Sequence, residues 1–218
     1  TDVEDTINGL SFSYDGGMLA IGSNKRIMIM ETKKRKQQLA QQFSFEDAVS
    51  KVSLSRNGRQ IALACAKKLT VRDVATGCDL FQILSDDRVS AVQISGDGRM
   101  VAFGGFDKKV RLCNTTSGCT IHAFPVEDTV RGVAITRDGR RLAIGSVDKS
   151  CRVFNAFTKE LLRCWKHKHL VWAVDIAPWK ETGYVVAAGD YAGDVIVRHV
   201  ESNTELFHHK FLPSGGPP

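Results

Sequence analysis

Three groups of residues in this 218-residue chain have types and spacings that suit chemistry. His167 and His169 stand two apart near Cys164, and His208-His209 lie close to the end, a set rich in zinc-type donors. Zinc needs four convergent ligands, yet no second ligand pair recurs at an equivalent place, so the pattern predicts no metal site and a solvent-exposed connector instead. Cys113 and Cys151 would act as nucleophiles only beside a base in an activating environment, and both fall in strand-like runs where packing accounts for them. The third group is basic. Lys33, Lys34, Arg35 and Lys36 form one run, while Arg59, Arg99, Arg140 and Arg141 follow turn signals. Clustered cations suit an acidic peptide, an anionic lipid headgroup or nucleic-acid phosphates, although such residues also simply keep a surface soluble. No paired catalytic carboxylates, nucleophile elbow or phosphate-binding Gly loop accompanies them, so the expectation is a non-enzymatic protein without cofactor.

The elements that must position these residues repeat along the chain. Ile27-Met28-Ile29-Met30-Glu31, Leu69-Thr70-Val71-Arg72-Asp73, Val110-Arg111-Leu112-Cys113-Asn114, Cys151-Arg152-Val153-Phe154-Asn155 and Val195-Ile196-Val197-Arg198-His199 share one plan. Their fourth members fall at 30, 72, 113, 154 and 198, so the gaps are 42, 41, 41 and 44. A fixed period of this size means an array of supersecondary units. The first four units open with an acidic pair and an alternating stretch, as in Asp86-Asp87 before Val92-Gln93-Ile94-Ser95, which predicts a strand with one buried face. Asp15-Gly16, Asn57-Gly58, Asp97-Gly98 and Asp138-Gly139 then mark hairpins, because these residues accept positive φ. Runs such as Leu142-Ala143-Ile144-Gly145 read as strands packed on both faces. A turn such as Thr116-Ser117-Gly118 leads to a last, more polar strand. Four strands per unit at this period describe a propeller blade, so the fold expected is all-β with five blades.

The units resemble WD40 repeats, with Val71-Arg72-Asp73-Val74-Ala75-Thr76-Gly77 similar to that family's V-W-D-x-x-T-G run. The resemblance covers about residues 4 to 212, as repeats at 4–45, 46–85, 86–126, 127–167 and 168–212 of one propeller domain (1–212), with 213–218 a Gly/Pro-rich tail. No Trp-Asp dipeptide survives, and Met30, Arg72, Cys113, Phe154 and Arg198 hold its Trp position. The family's Gly-His pair is also lost, and only Asp107 and Asp148 match its loop Asp. Asp47, Asp87 and Asp128 take the place of the His, and pairs between these acids and loop lysines on one face, the top, are expected to replace part of the family's network. The basic residues above belong to the opposite, bottom face. Family members usually close with seven blades, so five suggest part of a larger propeller, a closed five-blade ring being the alternative.

The resemblance implies a scaffold that docks partner proteins as a subunit of a larger assembly. The alternative is a nucleic-acid or anionic-lipid binder using the basic bottom face, in keeping with a net charge of +6 and a pI near 9.1. No aromatics interleave with those bottom cations, which weakens a single-strand reading. A hydrophobic fraction of 43% is ordinary for a folded protein, and no apolar run approaches the roughly 18 residues that span a bilayer. Six cysteines without a C-x-x-C pair read as buried or half-buried free thiols in a reducing compartment, cytosol or nucleus, and of the two the cytoplasm is the expectation. Trp172 is expected to fill a gap between blades, while Arg72 and Arg198 either contact a partner or cap a blade edge.

Overall fold

The computed structural model describes residues 6–33, 38–180 and 183–211. Among the described residues twenty strands and no helix form five four-stranded antiparallel sheets, each built from consecutive strands, as a WD40-like propeller requires. Blade 1 holds β1 (Ile7–Phe12), β2 (Met18–Ser23), β3 (Arg26–Glu31) and β4 (Gln38–Ser44). Blade 2 holds β5 (Val49–Leu54), β6 (Gln60–Cys65), β7 (Lys68–Asp73) and β8 (Asp79–Leu84). Blade 3 holds β9 (Val89–Ile94), β10 (Met100–Gly105), β11 (Lys109–Asn114) and β12 (Thr120–Pro125). Blade 4 holds β13 (Val130–Ile135), β14 (Arg141–Ser146), β15 (Ser150–Asn155) and β16 (Leu161–Lys166). Blade 5 holds β17 (Val171–Trp179), β18 (Gly183–Asp190), β19 (Asp194–His199) and β20 (Glu205–Lys210).

The predicted hairpins form by a specific local device. Ser13, Ser55, Ser95 and Thr136 donate their hydroxyls to Asp15, Asn57, Asp97 and Asp138 at 2.6–2.8 Å. Each hydroxyl oxygen also accepts the amide that opens the next strand, at 2.9–3.0 Å. The glycine that follows sits at φ between 65° and 72°, where a side chain would be strained. An Asx-type bond and a left-handed Gly thus fix the register of the first two strands in four blades.

Core lies between blades rather than within them. Among the described residues four apolar clusters fill four seams. Ile27, Ile29, Val52, Leu54 and Leu63 sit between blades 1 and 2, and Leu69, Val71, Val92 and Phe103 between blades 2 and 3. Val110, Leu112, Val133 and Ile144 join blades 3 and 4, and Val153, Val171 and Val186 join blades 4 and 5. Each fully buried side chain of this size stabilises by about 1.5–3 kcal/mol. Outside the seams the same positions are bare. Ile7, Leu10 and Phe12 on β1 are 58%, 60% and 60% exposed, whereas Val49, Val52 and Leu54, their blade 2 equivalents, are 0%, 6% and 6%.

First strands of neighbouring blades are also latched by polar groups. Each first strand carries a bulge one residue in, after Ile7, Val49, Val89, Val130 or Val171. The bulge residues Asn8, Ser50 and Ser90 donate to the carbonyls of Val49, Val89 and Val130 on the next blade. Ser11, Ser53 and Gln93 accept the amides of Leu54, Ile94 and Ile135 at 2.9, 3.1 and 2.6 Å. Blade 4 breaks both series. Its bulge residue is Arg131, Ala134 stands at the second latch position, and the amide of Ile176 bonds instead to its own neighbour Asp175 at 2.9 Å.

Candidate docking surfaces

The bottom face gathers part of the predicted basic set. Arg99 and Arg140 line one concavity of about 570 Å³ together with Arg137, Asp97, Asp138 and Tyr184. The turn device positions both arginines, because the Asp97 and Asp138 carboxylates accept the amides of Arg99 and Arg140 at 3.0 Å. Asp138 also accepts the Tyr184 hydroxyl at 3.0 Å and lies 3.9 Å from the Arg140 guanidinium. Burial raises its carboxyl, but the bonds from Thr136, the Arg140 amide and Tyr184 outweigh this and leave it lowered. Burial and that bond push the Tyr184 phenol up. Arg141 stacks its guanidinium 5.3 Å from the Tyr184 ring centroid, so its head is occupied by the seam. Arg59 is exposed on the blade 2 hairpin, apart from this concavity. Lys33 is bound to Asp15 at 2.6 Å, which holds that carboxyl well below the usual range. Lys34, Arg35 and Lys36 lie outside the described residues.

The top face meets the acid–lysine expectation only in part. Lys108 reaches Asp128 at 3.4 Å, and Lys109 reaches Asp86 rather than Asp87 at 3.0 Å, all on exposed groups worth about 0–1 kcal/mol each. The buried network is built from arginine. Arg111 binds Asp107, whose side chain is nearly inaccessible, and also approaches Ser85 at 3.3 Å and Asp86 at 3.4 Å. Arg152 binds Asp148 at 2.6 Å and Glu127 at 3.2 Å. Burial raises the Asp148 carboxyl, and the bonds from Ser150 and Arg152 lower it by more. The sequence signal was the Asp-x-x-x-Arg spacing from the loop into the third strand, present in blades 3 and 4.

Residues from the first strands of all five blades line one central space, the channel, and its top mouth holds cations that sequence reading missed. Lys51, Arg88 and Arg131 line a cavity of about 460 Å³ with Phe106 and Trp172, and no carboxylate lines it among the described residues. The expectation that Trp172 fills an interior gap is overturned, since half of it is exposed. As a bulge residue on β17 it projects from the strand instead of into the seam.

Other candidates resolve into packing. Arg72 binds Asp79 and lies 4.6 Å from the Phe43 ring of blade 1; Arg198 binds Glu205 at 3.0 Å and lies 5.6 Å from the Trp165 ring of blade 4. Both therefore cap a seam with a long stem. The expected exposed connector at His167 is corrected: its ring is buried, and burial, then the Arg198 charge, lower its pKa. The cysteine expectation is corrected too, because Cys78, Cys119 and Cys164 are exposed. Burial pushes the Cys151 thiol up to about 12, which suits packing and not nucleophilic attack. No cluster of His, Cys, Asp and Glu among the described residues is arranged to hold a metal ion. No described helix is long and apolar enough to cross a membrane.

Five antiparallel four-stranded sheets with their core in the seams define a propeller-type repeat protein. The chain carries WD40 repeats: the family described as WD domain, G-beta repeat matches residues 78–114 and 118–155. Each match starts at or just before the outer strand of one blade and ends on the third strand of the next, so the repeat in sequence is offset by one strand from the blade. No curated protein matches the chain.

Proposed function

We propose that the chain is a non-enzymatic docking scaffold that holds partner proteins within a multi-subunit assembly in the cytoplasm, with residues 1–212 acting as one propeller unit. WD40 repeats commonly mediate protein–protein scaffolding. The observation that carries the reading is the bottom concavity, where Arg99, Arg137 and Arg140 project from turns locked by Asx-type bonds. Arginines on a rigid rim bind carboxylates with little ordering cost. Asp97 and Asp138 in the same concavity oppose a run of phosphates and suit a partner protein that brings both carboxylates and donors. A pull-down from nuclease-treated lysate, comparing wild type with the triple variant Arg99→Ala, Arg137→Ala, Arg140→Ala, tests this. A discrete set of near-stoichiometric proteins that the variant loses is the expected result. The same set retained by the variant would move docking off the bottom face, and no such set from wild type would remove the scaffold reading.

A further inference from the structure

The five bulge residues of the first strands compare one position across five blades. Blades 1 to 3 use Asn8, Ser50 and Ser90, which latch the next blade. Blades 4 and 5 use Arg131 and Trp172, which are far larger than any latch needs. The first loop residue after the second strand also departs from its series in two blades: Asn24, Ala66 and Val147 in blades 1, 2 and 4, but Phe106 and Tyr191 in blades 3 and 5. These four residues and Arg88 form one row. The Arg88 guanidinium lies 5.6 Å from the Phe106 ring, and Arg131 lies 4.9 Å from both Phe106 and Trp172. Trp172 and Tyr191 are 6.2 Å apart and stand 50% and 73% exposed. Lys51 adds a third cation to the cavity under the row. The Nε of Arg131 is buried without a hydrogen-bond partner, and its guanidinium lies against the two rings.

We propose that the top mouth of the channel binds single-stranded nucleic acid, with bases on Trp172 and Tyr191 and phosphates at Lys51, Arg88 and Arg131. Cations alternating with exposed aromatic faces provide the two contacts a single strand offers, its charged backbone and its π-faces. Asp86 and Asp128 on the same face are engaged by Lys109 and Lys108, which limits their repulsion of a strand. A concave mouth does not fit a flat lipid surface, and a duplex would hide the bases the aromatics require. The site goes beyond the scaffold reading and sits at the opposite end of the channel from the docking arginines.

The test is fluorescence anisotropy of a labelled 12-nucleotide oligouridine titrated with the 218-residue chain. The double variant Trp172→Ala, Tyr191→Ala is expected to bind at least about ten-fold more weakly. Trp172→Phe should stay within about three-fold of wild type, since it keeps a stacking face. Raising salt from 50 to 200 mM should weaken wild type by about 20-fold, the value for three phosphate contacts on a single strand. Arg131→Ala should reduce that salt dependence, and Arg99→Ala with Arg140→Ala should leave binding unchanged. Unaltered melting of each variant keeps a binding loss separate from misfolding. No binding by wild type, full binding by the double variant, equal affinity for a duplex, or equal affinity for free uridine monophosphate would each overturn the proposal.

Discussion

The first three seams and the fourth are built differently. Between blades 1 and 2, 2 and 3, and 3 and 4, one bulge side chain donates across the seam and a second side chain accepts across it. Between blades 4 and 5 both latches are absent, and long side chains at the rim replace them. Tyr184 donates to Asp138 at 3.0 Å, Arg163 to the Glu201 carbonyl at 2.6 Å, and the Trp165 indole to Asn203 at 2.7 Å. Moving the polar bonds outward frees the channel-lining position of blade 4 for Arg131. The lesson is that in a repeat array a lost structural residue is informative, because its neighbours show what the fold alone would have chosen.

The largest expected effect tests the seams themselves. Phe103→Ala, within the second seam, should cost about 3–5 kcal/mol in urea unfolding, while Trp172→Ala at the fourth should stay within about 0.5 kcal/mol. Equal losses would mean that Trp172 supports the fold after all. Next is Asp148→Ala, which strands a buried Arg152 and is expected to cost about 3 kcal/mol by the same assay. A loss below about 1 kcal/mol would show that Arg152 finds enough compensation from Glu127 or water. Ser50→Ala and Ser90→Ala should each cost about 1 kcal/mol. Arg131→Ser grafts the missing latch into the fourth seam and should gain up to about 1 kcal/mol. Destabilisation by that graft would show that the fourth seam is tuned around the arginine.

The smallest effects come from protons. His167 is lowered by burial, so the folded chain takes its proton at a lower pH than the unfolded one. Its contribution is complete above about pH 6.5 and is lost as pH falls through the folded value. Asp138 and Asp148, also lowered, act in a lower window, with stability complete above about pH 4 and lost as pH falls through their folded values. Urea midpoints measured from pH 7 to 3 should show both declines, and His167→Phe should flatten the upper one alone.

Strands and hairpins were legible because their determinants are local. Leu142-Ala143-Ile144-Gly145 is apolar throughout and lies buried on both faces, and Asp97-Gly98 turns where its residue types require. What escaped depends on residues that are distant in sequence and meet only in the fold. His167 reads as part of a solvent-exposed connector, yet Arg198, Asp190 and Asp194 of the next blade are among the groups around it. Trp172 reads as core by type, but a bulge set by its pairing with β18 turns it outward. Arg99 and Arg140 were legible by position on the hairpins, whereas Arg137 beside them and the cations of the opposite mouth become a group only once the blades are ranked round the channel.

The bare incoming face of blade 1 sets how the molecule loosens. Its Ile7, Leu10 and Phe12 contribute nothing to a seam, so among the described residues blade 1 is held on one side only, while blade 3 is held on both by latched neighbours. Nearest-neighbour coupling of this kind lets an array fray from its ends without global unfolding. Backbone amides of blade 3 should therefore exchange with deuterium slowest, and those of blade 1 much sooner, giving a gradient of lifetimes along a chain whose blades look alike.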